Sequence, residues 1–104
     1  MTTHILIIED DINLSTVLAD YLQDKGYVID TATDGQEGWE LVNKKHYDLL
    51  LLDIMMPRMN GWQVLKSLRD SSNPLPVIIT SGKTDREDII RGYNLGCDDY
   101  VTKP

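Results

Sequence analysis

Five short runs rich in Ile, Leu and Val alternate with stretches whose apolar residues recur at helical spacing, and this alternation constrains the fold more than any other feature of the chain. Residues 4–8 form the first run, apolar at nearly every position, the pattern of a strand covered on both faces. Leu14, Val17, Leu18, Tyr21 and Leu22 then recur at i, i+3, i+4, i+7 and i+8, one stripe of a helix that Gly26 stops. A strand over 27–31, a turn at Asp34-Gly35 and a helix over 36–45 with Trp39 and Val42 facing inward follow. Residues 47–52 give the most apolar strand, ending in Asp53, and a loop with Pro57 and Gly61 leads to a helix carrying Val64, Leu65 and Leu68. Beyond Asn73-Pro74 and Pro76, a strand over 77–80 exits at Ser81-Gly82, a helix over 85–95 closes at Gly96, and a last strand covers 100–102. Strands separated by helical crossovers predict a parallel sheet, so the fold class is doubly wound α/β. Such sheets bind their ligands beyond the carboxyl ends of the strands, where the strand order reverses.

The 104 residues suffice for one domain and leave no room for a second catalytic one. Seventeen Asp and Glu against ten Lys and Arg give a formal charge of −7, which repels nucleic acid phosphates and argues against direct DNA or RNA binding. The single cysteine, Cys97, cannot form an internal disulfide and reads as a small core residue beside Gly96. The N-terminus lacks the pattern of a secretory signal, and runs such as 49–52 are far too short to cross a membrane, so a soluble, cytoplasmic chain is expected.

Three carboxylates, Glu9 and Asp10 after the first strand and Asp53 after the third, would meet at the sheet edge if those strands are neighbours. Like charges so close ionise together only with a cation, and an all-oxygen set with room for water suits Mg²⁺. Asp11, just ahead of the first helix, reads instead as its cap. Ser81 and Lys103 follow the fourth and fifth strands, which adds a hydroxyl and an ammonium to the same edge, the ingredients of a phosphoryl site. His4 and His46 are not expected to be ligands.

Glu9-Asp10, Asp53-Ile-Met-Met-Pro57 with Gly61, Ser81-Gly82, and Asp98-Asp99-Tyr100-Val-Thr-Lys103-Pro104 together resemble the receiver domain of two-component response regulators, across the whole chain. The resemblance implies a flavodoxin-like strand order 2-1-3-4-5, with Asp53 as phosphoacceptor from a sensor histidine kinase. It implies Mg²⁺ bound by Asp10, Asp53 and the Met55 backbone carbonyl, with Glu9 acting through water. Lys103 would neutralise charge beside the transferring group. Pro104 would be a cis proline that turns Lys103 inward. Of two candidate switch hydroxyls, Thr80 and Ser81, the family spacing selects Ser81, five residues after Pro76 and 22 before Lys103. Ser81 and Tyr100 would form the switch that alters the helix 4 and strand 5 surface, and Met55 and Lys83 would tune hydrolysis of the phosphoryl group. The segment Asp88-Ile-Ile-Arg91-Gly-Tyr93 is most similar to receivers attached to winged-helix DNA-binding domains, which implies a homodimer through helix 4 and strand 5 with Arg91, Asp98 and Asp99 as interface charges. DNA contact would then belong to an output domain.

The family pattern continues past Pro104 into a fifth helix, so the chain reads as a C-terminally truncated receiver over 1–104, with an apolar patch exposed over strands one and three. A flavin mononucleotide module on the same fold would need a Ser, Thr and Gly-rich phosphate loop where Glu9, Asp10 and Asp11 stand. An aspartyl phosphatase would need a second Asp two residues after Asp53, where Met55 stands. A degenerate docking receiver would lack part of the set Glu9, Asp10, Asp53, Ser81 and Lys103, all of which are present.

Overall fold

Ile5, Leu6, Ile7 and Ile8 are each 3% exposed or less, so both faces of the first strand must be covered. The computed structural model, which describes residues 2–56, 58–83 and 85–103, shows how. Strands β1 (His4–Ile8), β2 (Val28–Ala32), β3 (Leu49–Asp53), β4 (Val77–Ser81) and β5 (Asp99–Thr102) form one parallel sheet in the order β2-β1-β3-β4-β5. Helices α1 (Ile12–Asp24), α2 (Gly35–Lys44), α3 (Gly61–Asp70) and α4 (Arg86–Asn94) connect them. One face carries the main core, with Leu6, Ile8, Leu50, Leu52, Val77 and Ile79 packed against Val42, Trp62, Val64, Leu65 and Leu68. On the other, Ile5 and Ile7 pack with Ala19, Leu18 and Leu22 of α1.

Local chemistry sets the helix starts. The Asp11 side chain accepts the Leu14 N–H at 3.1 Å, as its position ahead of α1 predicts, and Asp34 caps α2 through the Glu37 N–H at 2.8 Å. Asn60 and Gln63 form a reciprocal capping box at α3. Asp85, in contrast, makes no side-chain cap at α4.

Three expectations need correction. The strand expected over 47–52 starts at Leu49, because Tyr47 turns into the core and donates its hydroxyl to Asp30 at 2.7 Å while Asp48 accepts the His4 N–H. The strands expected over 27–31 and 77–80 each end one residue later, at Ala32 and Ser81. The apolar patch expected over strands one and three holds for strand three but not for strand one: α1 covers Ile5 and Ile7, whereas Leu49 and Leu51 of β3 are incompletely covered, as are Ile78 of β4 and Val101 of β5, the last 48% exposed. Cys97 is buried and Trp39 packs against the core, as expected, and Pro104 lies outside the described residues.

Arg69, which periodicity does not single out, holds two turns together. Its guanidinium donates to the carbonyls of Gly96, Asn73 and Leu75 at 2.7–2.9 Å, joining the end of α3 to the entrances of β4 and β5. Replacing it leaves those part-buried acceptors without donors, so Arg69→Leu is expected to lose about 2 kcal/mol of stability in urea denaturation. A change of under about 0.5 kcal/mol would contradict this role.

Candidate functional site

Register brings the acids together. Ile8 pairs with Leu52, so Glu9 leaves β1 beside Asp53, the last residue of β3. Asp53 in turn pairs with Thr80 and Ser81 with Thr102, which puts Ser81 and Lys103 one step further along the same edge. Because β1 and β3 are neighbours while β2 lies on the outer side of β1, this edge is the point of reversal where such sheets open a crevice.

Carboxylate oxygens of Glu9, Asp10 and Asp53 all lie within 4.8 Å of one another. Glu9 and Asp53 are each only 2% exposed, whereas Asp10 faces solvent. The Lys103 ammonium lies 2.6 Å from Glu9 Oε1 and 3.3 Å from Asp53 Oδ1. Glu9 Oε2 also accepts the Asp11 N–H at 3.2 Å, and Asp53 Oδ1 the Met55 N–H at 3.4 Å. Gly61 permits this packing, since a Cβ there would stand 2.3 Å from the Asp53 carbonyl oxygen.

The electrostatics follow from burial and crowding. Burial, then the hydrogen bond and charge of Glu9, push the Asp53 carboxyl up to about 7, against a weaker pull from Lys103. Burial also raises Glu9, but its hydrogen bonds with Lys103, Asp11 and Asp53 and the charge of Lys103 together hold Glu9 below its ordinary value. Burial disfavours the Lys103 charge, yet Glu9 and Asp53 more than compensate and raise it. One ammonium thus faces three carboxylates, a deficit of positive charge that suits a hard divalent cation bound through oxygen.

Ser81 is fully buried, and its Oγ accepts the Lys83 N–H at 3.0 Å. The Tyr100 ring is half-buried and donates its hydroxyl to the Lys83 carbonyl at 2.9 Å, so both side chains grip one residue of the β4–α4 loop. Gly92 makes room, since a Cβ there would lie 3.1 Å from the Tyr100 ring.

A family model for the response regulator receiver domain matches residues 5–104. The chain belongs to the response regulator receiver family. Among the relatives of this receiver, the transcriptional regulatory protein CiaR of Streptococcus pneumoniae is 45% identical over 100 residues, covering 96% of this chain and 44% of its own. The transcriptional regulatory protein RprY of Bacteroides fragilis is 42% identical over 96% of this chain and 42% of its own. The receiver therefore spans less than half the length of these relatives. Among solved structures, the Francisella response regulator 1452 receiver domain superposes with a TM-score of 0.96 at 35% identity, covering 99% of this chain and 85% of its own. The response regulator TrrA of Thermotoga maritima, solved in complex with Mg²⁺-BeF, superposes with a TM-score of 0.88 at 30% identity, over 99% and 88%.

The charges expected at an interface lie away from the acid pocket, on the α4–β5 flank. The Arg91 guanidinium sits 4.5 Å above the Trp62 ring. Asp98 accepts the Val77 N–H at 2.8 Å and pairs with Arg69, and Asp99 accepts from the Tyr93 hydroxyl at 3.2 Å. Sequence reasoning missed the partners of Arg91 and Asp98 because they join segments far apart in the chain, and the Tyr93–Asp99 bond because it forms only across the turn between α4 and β5. Among the described residues, no helix is long and apolar enough to cross a membrane.

The Asp53 shift sets a pH dependence for the metal-free protein. A carboxyl near 3.8 when unfolded and near 7 when folded favours folding most at low pH, and that contribution is lost as pH rises through about 7. The depressed Glu9 acts in the opposite sense, but only below pH 4.5. In chelator the melting temperature is expected to fall between pH 5.5 and 8, and Asp53→Asn to flatten that fall and add about 1–3 kcal/mol of stability at pH 8. An unchanged profile in the variant would assign the pH dependence elsewhere.

Proposed function

We propose that Asp53 accepts a phosphoryl group from a phosphohistidine of a sensor histidine kinase, and that the resulting aspartyl phosphate resets the α4 and β5 surface that governs an output domain. The observation that carries this reading is a buried carboxylate at the sheet edge, with an ammonium 3.3 Å away and two further acids within 4.8 Å. An Asp53 oxygen attacks phosphorus, the P–N bond breaks, and its electron pair leaves with the imidazole. The attacking carboxylate must be ionised, and additional positive charge opposes the upward shift that burial and Glu9 impose.

Mg²⁺ fits the oxygen-only donor set; Asp10, Asp53 and the Met55 backbone carbonyl would hold it directly, with Glu9 acting through water. Bound there, it would neutralise the negative charge that the acids and the phosphoryl oxygens bring together. Lys103, oriented by Glu9, donates to a phosphoryl oxygen. The Ser81 hydroxyl can turn to donate to another, and its movement carries the Lys83 backbone on which Tyr100 rests. That shared anchor supports Ser81 and Tyr100 as the switch, with Met55 and Lys83 flanking the approach of water. The domain acts as a cytoplasmic phosphoacceptor rather than a turnover enzyme. Its relatives' names describe transcriptional regulators, which supports a DNA-binding output domain and a dimer through α4 and β5 involving Arg91, Asp98 and Asp99.

Incubation with MgCl₂ and a small acyl phosphate, followed by intact mass measurement, tests the chemistry. One phosphoryl adduct is expected in the wild type and none in Asp53→Asn or in chelator. An adduct that persists in the variant, or its absence from folded wild type, would overturn the assignment.

A further inference from the structure

The segment between β3 and α3 leans on the start of α2. The Met59 carbonyl packs so closely on Gly35 that a Cβ there would stand 1.7 Å from its oxygen. Beside this contact Arg58 adopts φ +65°, a left-handed conformation that side chains rarely take and glycine takes freely. Its guanidinium reaches back to Asp34, Nη1 lying 3.4 Å from Oδ2. The other Asp34 oxygen accepts the Glu37 N–H at 2.8 Å, and the side chain is only 12% exposed, so this carboxylate is fixed to the first turn of α2. An arginine in a backbone position suited to glycine, paired with a fixed acid, points to a role for the side chain rather than the turn.

We propose that Arg58 is a positioning residue for the divalent-cation site. By tying the β3–α3 segment to Asp34 it restrains Met55, whose amide already meets Asp53 and whose carbonyl is assigned to the cation. The inference rests on the reading of the acid pocket given above. It adds α2, an element that contributes no ligand, to the machinery that sets cation affinity.

Calorimetric titration of MgCl₂ into the full chain separates this from a purely structural role. Arg58→Gly removes the pair while relaxing the left-handed backbone, and Asp34→Asn removes the charge while keeping a residue that caps helices equally well. Each is expected to weaken Mg²⁺ binding by about three- to fivefold, the scale of one partly exposed ion pair. The double variant is expected to be no weaker than either single one, because both remove the same interaction. Arg58→Lys should stay within about twofold of wild type, and the melting temperature of Arg58→Gly should not fall, since glycine relieves the backbone.

Affinities of Arg58→Gly and Asp34→Asn within twofold of wild type would overturn the proposal. Weakening in Arg58→Gly alone would also overturn it, by assigning the effect to glycine flexibility instead of the pair. Failure of the wild type itself to bind Mg²⁺ would remove the cation reading, and this proposal with it, a result distinct from the other two.

Discussion

Two carboxylates, Glu9 and Asp53, share one ammonium, Lys103, in a place from which water is almost excluded. Burial raises the cost of each negative charge, and the single Lys103 offsets only part of it. Much of the neighbouring structure keeps that cluster assembled. From Ile5 to Ile8 β1 is apolar on both faces and can exist only inside the sheet, and its pairing with β3 is what sets Glu9 beside Asp53. The residual imbalance leaves a place for a cation and a phosphoryl group together, and a structure that had fully neutralised its acids would offer neither.

Around this cluster, close backbone contacts act as spacers. Gly61 lets α3 begin against the Asp53 carbonyl, Gly35 lets the following segment rest on α2, and Gly92 lets α4 approach the Tyr100 ring. Each sits where a side chain would force a helix away from the strand ends. Lys83 adds a polar link, holding Ser81 through its N–H and Tyr100 through its carbonyl.

The α4–β5 flank combines internal ties with exposed apolar surface. Arg91 rests on Trp62, Asp98 serves Val77 and Arg69, and Asp99 serves Tyr93, yet Ile90 and Tyr93 remain 45% and 47% exposed. Contacts of the Arg91–Trp62 kind contribute about 0.5–1 kcal/mol at exposed sites. That is weak enough for such side chains to change partners without unfolding the element that carries them.

The sequence by itself determined the alternation of strands and helices, the acids at the strand ends and the cap at Asp11, because these depend on periodicity and on hydrogen bonds between near neighbours. It also carried the motif residues Glu9, Asp10, Asp53, Ser81 and Lys103, although not the fact that one ammonium bridges two of the acids. Only the tertiary structure decided that Tyr47 leaves its strand for Asp30, that Arg69 fastens two turns, and that Arg58 reaches Asp34. It likewise took β1 out of the incompletely covered apolar surface expected over strands one and three and extended that surface to β4 and β5, because α1 lies over Ile5 and Ile7. The physical reason is common to all of these. A side chain's partner across the fold is set by strand register and helix placement, which depend on the whole core at once, while local pattern records only which face each residue prefers.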